Sequence, residues 1–218
     1  MAEPGERAKR KQIELECRKQ LVVEGNDEER FFRAFLRHLS IRNVQVQSFQ
    51  GLAHGSLERR LRLLQTPSGK GFSFHEVDAL GIVRDAEKCA ESAFASAKGA
   101  CDAAELPSPE SPGRPRGEGL KVGVWILPNN RDPGMLETLC LQSVEGSPLL
   151  ECVAEFHECA QRASGDRIEV EPKAKLQAFV SMHKGVRLLG EAADKGVWDW
   201  GSDCFTGLSR FLLALFED

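Results

Sequence analysis

No tyrosine occurs anywhere in the 218 residues, so any chemistry that passes through a covalent phosphotyrosine link is excluded. The cysteines at positions 17, 89, 101, 140, 152, 159 and 204 form no CxxC pair and no Cys/His grouping at zinc spacing. Odd in number, they read as reduced thiols of a cytoplasmic protein. Neither GxxxxGKS nor GxxxxGKT is present, so ATP hydrolysis would have to come from a separate chain. No run of about 18 apolar residues exists, and the charged start MAEPGERAKRKQIELECRKQ has no apolar core, so neither a membrane span nor a secretion signal is expected. The formal net charge of -4 supplies no broad cationic field for a polyanion, so any nucleic-acid contact must be local or carried by a metal ion.

What is there suffices for one well-buried core: 41% of the residues are hydrophobic. We expect a charged lead-in over 1–18 and a single domain over 19–218. LVVEG at 21–25 reads as a buried strand closing on a tight turn. DEERFFRAFLRHL follows with Phe31, Phe32, Phe35, Leu36 and Leu39 at helical spacing, acids in the first turn and a histidine near the end. VQVQSF at 44–49 alternates as a strand, GLAHGS is a glycine-punctuated loop, and LERRLRLLQ at 57–65 carries leucines at helical spacing. The apolar stretch from Ala79 to Val83 ends at Arg84-Asp85 and gives way to an alanine-rich helix.

LPSPESPGRPRGEG at 106–119 is too poor in apolar residues to pack and reads as a surface loop within the domain, because strand-like KVGVWILP resumes after it. Helices are expected in the stretch after Pro133, over about 148–163, from Pro172, and in the apolar tail DCFTGLSRFLLALFED. Strands alternating with helices over the first 130 residues predict an α/β fold: a mostly parallel sheet covered by helices on both faces, with a C-terminal helical extension.

In such a sheet, ligands gather at the carboxyl ends of the strands. Glu24, Asp85 and Glu87 fall there, and clustered carboxylate oxygens are what Mg²⁺ requires. If the chain stays extended through Asp85-Ala86-Glu87, both acids point to one side, facing Glu24. The competing explanation for each acid alone is stabilisation of a helix start by the macrodipole. Arg59, Arg60 and Arg62 form a local basic cluster, readable either as a phosphate-contacting face or as a solvated one. His54 in GLAHGS is a loop histidine with a surface role as its default. Trp125, Trp198 and Trp200 read as packing residues rather than base-stacking platforms.

LVVEGNDEERFF followed by ALGIVRDAE resembles the Toprim domain, whose hallmarks are a strand-terminal Glu-Gly and a later Asp-x-Asp motif. The remainder, notably VGVWILPNNRDPGMLETLCLQSV and PKAKLQAFVSMH, resembles a family of standalone bacterial Toprim-like proteins of uncharacterised function. That family is similar to the nuclease domain of the OLD (overcoming lysogenization defect) proteins. The resemblance implies a Rossmann-like Toprim fold and Mg²⁺- or Mn²⁺-dependent hydrolysis of nucleic-acid phosphodiesters. It assigns metal binding to Glu24, Asp85 and Glu87, a further acid to Glu28 with Asp27 as its alternative, a later acid to Glu137, and a charge-stabilising lysine to Lys173 or Lys175. Two lysines at i, i+2 on a helix point to different faces, and the helix start at Pro172 favours Lys173. The pattern departs in carrying Glu87 where Asp is usual, which shifts metal geometry by a methylene. The rival expectation is an inactive Toprim-fold module that binds nucleic acid or protein, alone or beside a separate ATPase.

Overall fold

The computed structural model describes residues 13–49, 57–66, 71–165 and 171–217. Four strands alternate with helices: β1 (Lys19–Val23), α1 (Asn26–His38), β2 (Val44–Ser48), α2 (Leu57–Leu64), β3 (Ala79–Asp85), α3 (Ala90–Ala103) and β4 (Lys121–Leu127). Four further helices and a carboxyl-terminal one complete the chain: α4 (Leu136–Ser143), α5 (Pro148–Ser164), α6 (Glu171–Ser181), α7 (Leu189–Asp194) and α8 (Thr206–Phe216). The sheet runs β2-β1-β3-β4 and every pairing is parallel. This is the expected Rossmann-like α/β arrangement, with helices on both faces.

Period-two alternation sorts the strand residues between two cores. Leu21, Val23, Ala79, Val83, Trp125 and Leu127 face α1 and α4 to α8, whereas Val22, Leu80, Ile82, Val122, Val124 and Ile126 face α2 and α3. The near-continuous burial of β3 and β4 follows from that double cover. The alanine-rich α3 turns Ala90, Ala97, Ala100 and Cys101 inward, and their small side chains let the helix lie close on the sheet.

Gly81 of β3 and Gly123 of β4 are register partners and form a slot for α8. A Cβ at Gly81 would come within 2.7 Å of Leu21 and 2.9 Å of Leu215, and one at Gly123 within 2.7 Å of Phe211. Trp125 packs on Phe211 with ring centroids 5.6 Å apart, so the helical tail is seated on the sheet. Gly81→Val is expected to cost about 2–3 kcal/mol by overpacking and to lower Tm by about 5–10 °C. An unchanged thermal melt would show that α8 does not depend on the slot.

Two features go beyond the sequence reading. The 106–119 segment does more than cover surface: Gly113 N–H donates to Val124 O at 2.7 Å, and Arg116 and Val122 exchange backbone bonds at 2.8 and 2.7 Å. That antiparallel bridge occupies the outer edge of β4. The six-residue α7, LGEAAD, was not anticipated because so short a segment carries no complete apolar stripe. It is fixed from outside, by the Asp27 carboxylate at its start and by the Trp198 Nε1–H donating to Leu189 O at 3.2 Å. His54 lies outside the described residues. Among the described residues no helix is long and apolar enough to cross a membrane.

Candidate functional site

The sheet order places its reversal between β1 and β3. From β1 the chain leaves through α1 on one face, and from β3 it leaves through α3 on the other. A crevice therefore opens between the two carboxyl ends, where the helices diverge. Glu24 directly follows β1, and Asp85 is the last residue of β3. The Asp85 backbone N–H donates to Glu24 Oε2 at 3.4 Å, so two residues 61 positions apart meet at this point.

Asp85 is only 7% exposed. Its Oδ1 accepts from the backbone N–H of Leu136 at 3.0 Å, which fixes the start of α4 and brings Glu137 of its first turn into the crevice. Burial, followed by the negative charges of Glu24, Glu137 and Glu28, pushes the Asp85 carboxyl up to about 8. Glu28 enters from the first turn of α1; burial raises it, and Glu137, Asp27 and Glu24 add to the effect. Burial also raises Glu137, while the charge of Lys173 opposes that rise. One carboxylate oxygen of Glu137, Oε2, is buried with no hydrogen-bond partner among the described residues. Acids from β1, α1, β3 and α4 thus share one partly desolvated space, with one lysine of α6 close enough to act on it.

The three consecutive acids that open α1 diverge. Asp27, the alternative to Glu28, accepts from the backbone N–H groups of Leu189 and Gly190 at 3.0 and 2.7 Å and so caps α7. Glu29 accepts from Ser48 N–H at 3.2 Å and pairs with Arg33 at 2.5 Å. Of the three, Glu28 enters the crevice, while the Asp27 charge bears on it and on Glu137 from beside α7. Asp27→Ala removes both α7 bonds and is expected to cost about 1–2 kcal/mol, the range of a lost helix cap. Tm should fall by about 3–6 °C, with faster amide exchange over 189–193; unchanged exchange there would refute the capping role.

Glu87 departs from the expected geometry. The residue has φ 53, and its backbone N–H and C=O pair with Gly134 at 2.9 Å in both directions, so the chain is not extended through 85–87. The residue is exposed, and its charge bears on Glu137. The turn instead fastens the 128–135 loop, and with it α4, to the end of β3. Lys173 and Lys175 also separate: Lys175 Nζ pairs with Glu171 at 3.0 Å, away from the acids, whereas Lys173 acts on Glu137.

The basic cluster of α2 is not a continuous cationic face. Arg60 Nη2 donates to Gln47 Oε1 at 2.7 Å and Arg62 Nε to Glu58 Oε1 at 2.9 Å. The tryptophans serve packing: Trp125 and Trp198 are buried, and Trp200 stacks among Phe31, Phe35, His38 and Phe205.

An all-oxygen donor set with a buried, unpartnered carboxylate oxygen suits a hard divalent cation. As they stand, no three or more His, Cys, Asp or Glu side chains among the described residues are drawn together tightly enough to hold a metal ion.

Fold and site together define a Rossmann-like α/β protein with an acidic cleft at the switch point of a parallel sheet. The chain belongs to the family described as a protein of unknown function, DUF3226, whose model matches residues 18–217. Among curated proteins none matches. A solved structure, the C-terminal region of the Xanthomonas campestris pv. campestris OLD protein, is similar over 90% of this chain and 93% of that one, at 14% sequence identity and a TM-score of 0.48.

Proposed function

We propose that this protein is a Toprim-like, metal-dependent phosphodiesterase acting on nucleic acid. The observation that carries the reading is the meeting of four carboxylates, Glu24, Glu28, Asp85 and Glu137, at one strand-end crevice, with Asp85 pushed up to about 8 by burial and its acidic neighbours. Placing such charges together costs stability, and a bound Mg²⁺ or Mn²⁺ offsets that cost. Glu24 and Asp85 are the central ligands, joined by Glu28, with Glu137 beside them and Glu87 at the rim. A divalent cation there polarises a phosphoryl oxygen and lowers the pKa of a bound water. Lys173 stabilises the charge that builds on phosphate during attack.

The test is Mn²⁺-dependent nicking of plasmid and digestion of single-stranded DNA, with Glu24→Ala and Asp85→Ala as controls. Cleavage by the wild type, falling by at least about a hundredfold in both variants, supports the reading. Equal activity in all three preparations rejects it. A second reading is a module that binds nucleic acid or protein without turnover. The left-handed backbone of the exposed Glu87 favours it, since the extended Asp-x-Glu arm expected of the ligand set is not formed. Mn²⁺ binding by calorimetry without cleavage of any substrate would select it.

A further inference from the structure

Beside the acidic crevice, a cavity of about 430 Å³ is lined by Asn26, Glu29, Arg30, Arg33, Arg37 and Asp194. We propose that it holds backbone phosphates of the substrate strand on one side of the scissile bond. The inference rests on the nuclease reading and adds a site for the flanking nucleotides.

The first support is arrangement along α1. Arg30, Arg33 and Arg37 fall at i, i+3 and i+7, one stripe of the helix, and span about 10 Å along its axis. Asn26, at the near end of the cavity, is two residues from Glu24, and its Oδ1 accepts from Ser48 Oγ at 2.7 Å. A strand with one phosphodiester at the acids therefore carries its neighbouring phosphates over the arginines.

The second is how the guanidiniums are held. Asp194 accepts from Arg30 Nε through Oδ2 and from Arg37 Nη2 through Oδ1, both at 2.6 Å. Arg30 Nη1 also donates to Glu191 Oε1 at 3.2 Å. Arg33 contacts Glu29 Oε1 at 2.5 Å and Val46 O at 3.4 Å, both through Nη2. One carboxylate thus fixes two forks from the side. The bonds that Arg33 and Arg37 make among the described residues use Nη2 alone, so Nε and Nη1 of each are left as single donors for a ligand. A guanidinium held from one side loses less freedom per hydrogen bond to phosphate than a mobile ammonium does.

The third is charge. Arg60, whose cation feels Glu29, joins the three arginines against Glu29, Glu191 and Asp194. With Asp27, which also acts on Arg30, the wider group is four cations against four anions, and the lining itself sets three arginines against Glu29 and Asp194, one positive charge in a chain whose net charge is -4. The side chains of Arg30, Arg33 and Arg37 are 46%, 56% and 63% exposed. Exposed ion pairs of this kind contribute about 0–1 kcal/mol each, so stability alone is a weak reason for three arginines in a row.

The experiment titrates a fluorescein-labelled oligothymidylate with the full chain by fluorescence anisotropy, in Ca²⁺ buffer at several salt concentrations. Arg33→Ala/Arg37→Ala is expected to weaken binding by about tenfold and to reduce the slope of log K against log salt by about 1.4, the loss of two single-strand phosphate contacts. Arg33→Lys/Arg37→Lys, which keeps charge without the fork, should lie between. The same affinity and slope in all three proteins, or no binding by the wild type, overturns the proposal. So does an acidic peptide, polyglutamate, that binds with the same arginine dependence while the oligonucleotide does not. Cleavage in Mn²⁺ is read in parallel: wild type that binds through these arginines but cleaves nothing removes the nuclease reading and leaves the phosphate pocket standing.

Discussion

Asp85→Asn is expected to raise the melting temperature of the metal-free protein at pH 8 by about 10–20 °C, the reverse of the usual effect of changing a buried site residue. Asparagine keeps an oxygen to accept from the Leu136 N–H, the one bond this carboxylate makes to α4, and removes a charge that the fold disfavours. The carboxyl is pushed from an ordinary 3.8 up to about 8 in the folded chain. A group raised on folding leaves stability at its fullest below the unfolded value and loses it as pH climbs to the folded one. Wild-type stability should accordingly decline from about pH 4 to pH 8 through this group. The gain in the variant should amount to about 5 kcal/mol at pH 8 and about 2 kcal/mol at pH 5. Thermal melts in EDTA across that range measure it. Added Mn²⁺ should stabilise wild type by mass action and leave Asp85→Asn unmoved. A variant that melts lower than wild type at every pH would show that the Asp85 charge is compensated in the folded state.

The second large effect separates the two lysines of α6. Lys173→Met is expected to lower kcat for DNA cleavage by about 10²- to 10³-fold, as loss of a preorganised charge stabiliser does, with KM changed by less than about threefold. Lys175→Met removes the pair with Glu171, an i, i+4 contact worth about 0.3–0.5 kcal/mol, and should change kcat by less than about threefold. The ground is the field each lysine exerts: Lys173 acts on the buried Glu137, whereas the Lys175 ammonium is spent on a carboxylate of its own helix. Steady-state kinetics at saturating Mn²⁺ decides it, and equal losses from both variants would reject the assignment.

Strand ends were legible in the sequence because short β-branched runs stop abruptly at Glu24 and Asp85. That the two ends are neighbours was not, since β1 and β3 are separated by a helix, a strand and another helix, and only the strand order β2-β1-β3-β4 brings them together. The positions of Glu28 and Glu137 came from resemblance; no periodicity marks a first-turn acid that points inward from one that caps or pairs. Asp27, Glu28 and Glu29 are three such acids in a row with three different partners. The extended reading of 85–87 failed for a non-local reason, a backbone pairing with Gly134 that goes with a left-handed Glu87. The arginine stripe of α1 was present in DEERFFRAFLRHL, but its concavity depends on Asp194, far along the chain.

The proline-rich stretch between α3 and β4 gives the sheet a handed ending. Because Gly113 and Arg116 already engage the backbone at Val122 and Val124, an incoming strand from a neighbour or a second copy meets an edge whose hydrogen-bonding groups are taken. Growth of the sheet by strand addition is thereby barred on the flank of β4, and a segment that packs no core of its own serves as a built-in stop.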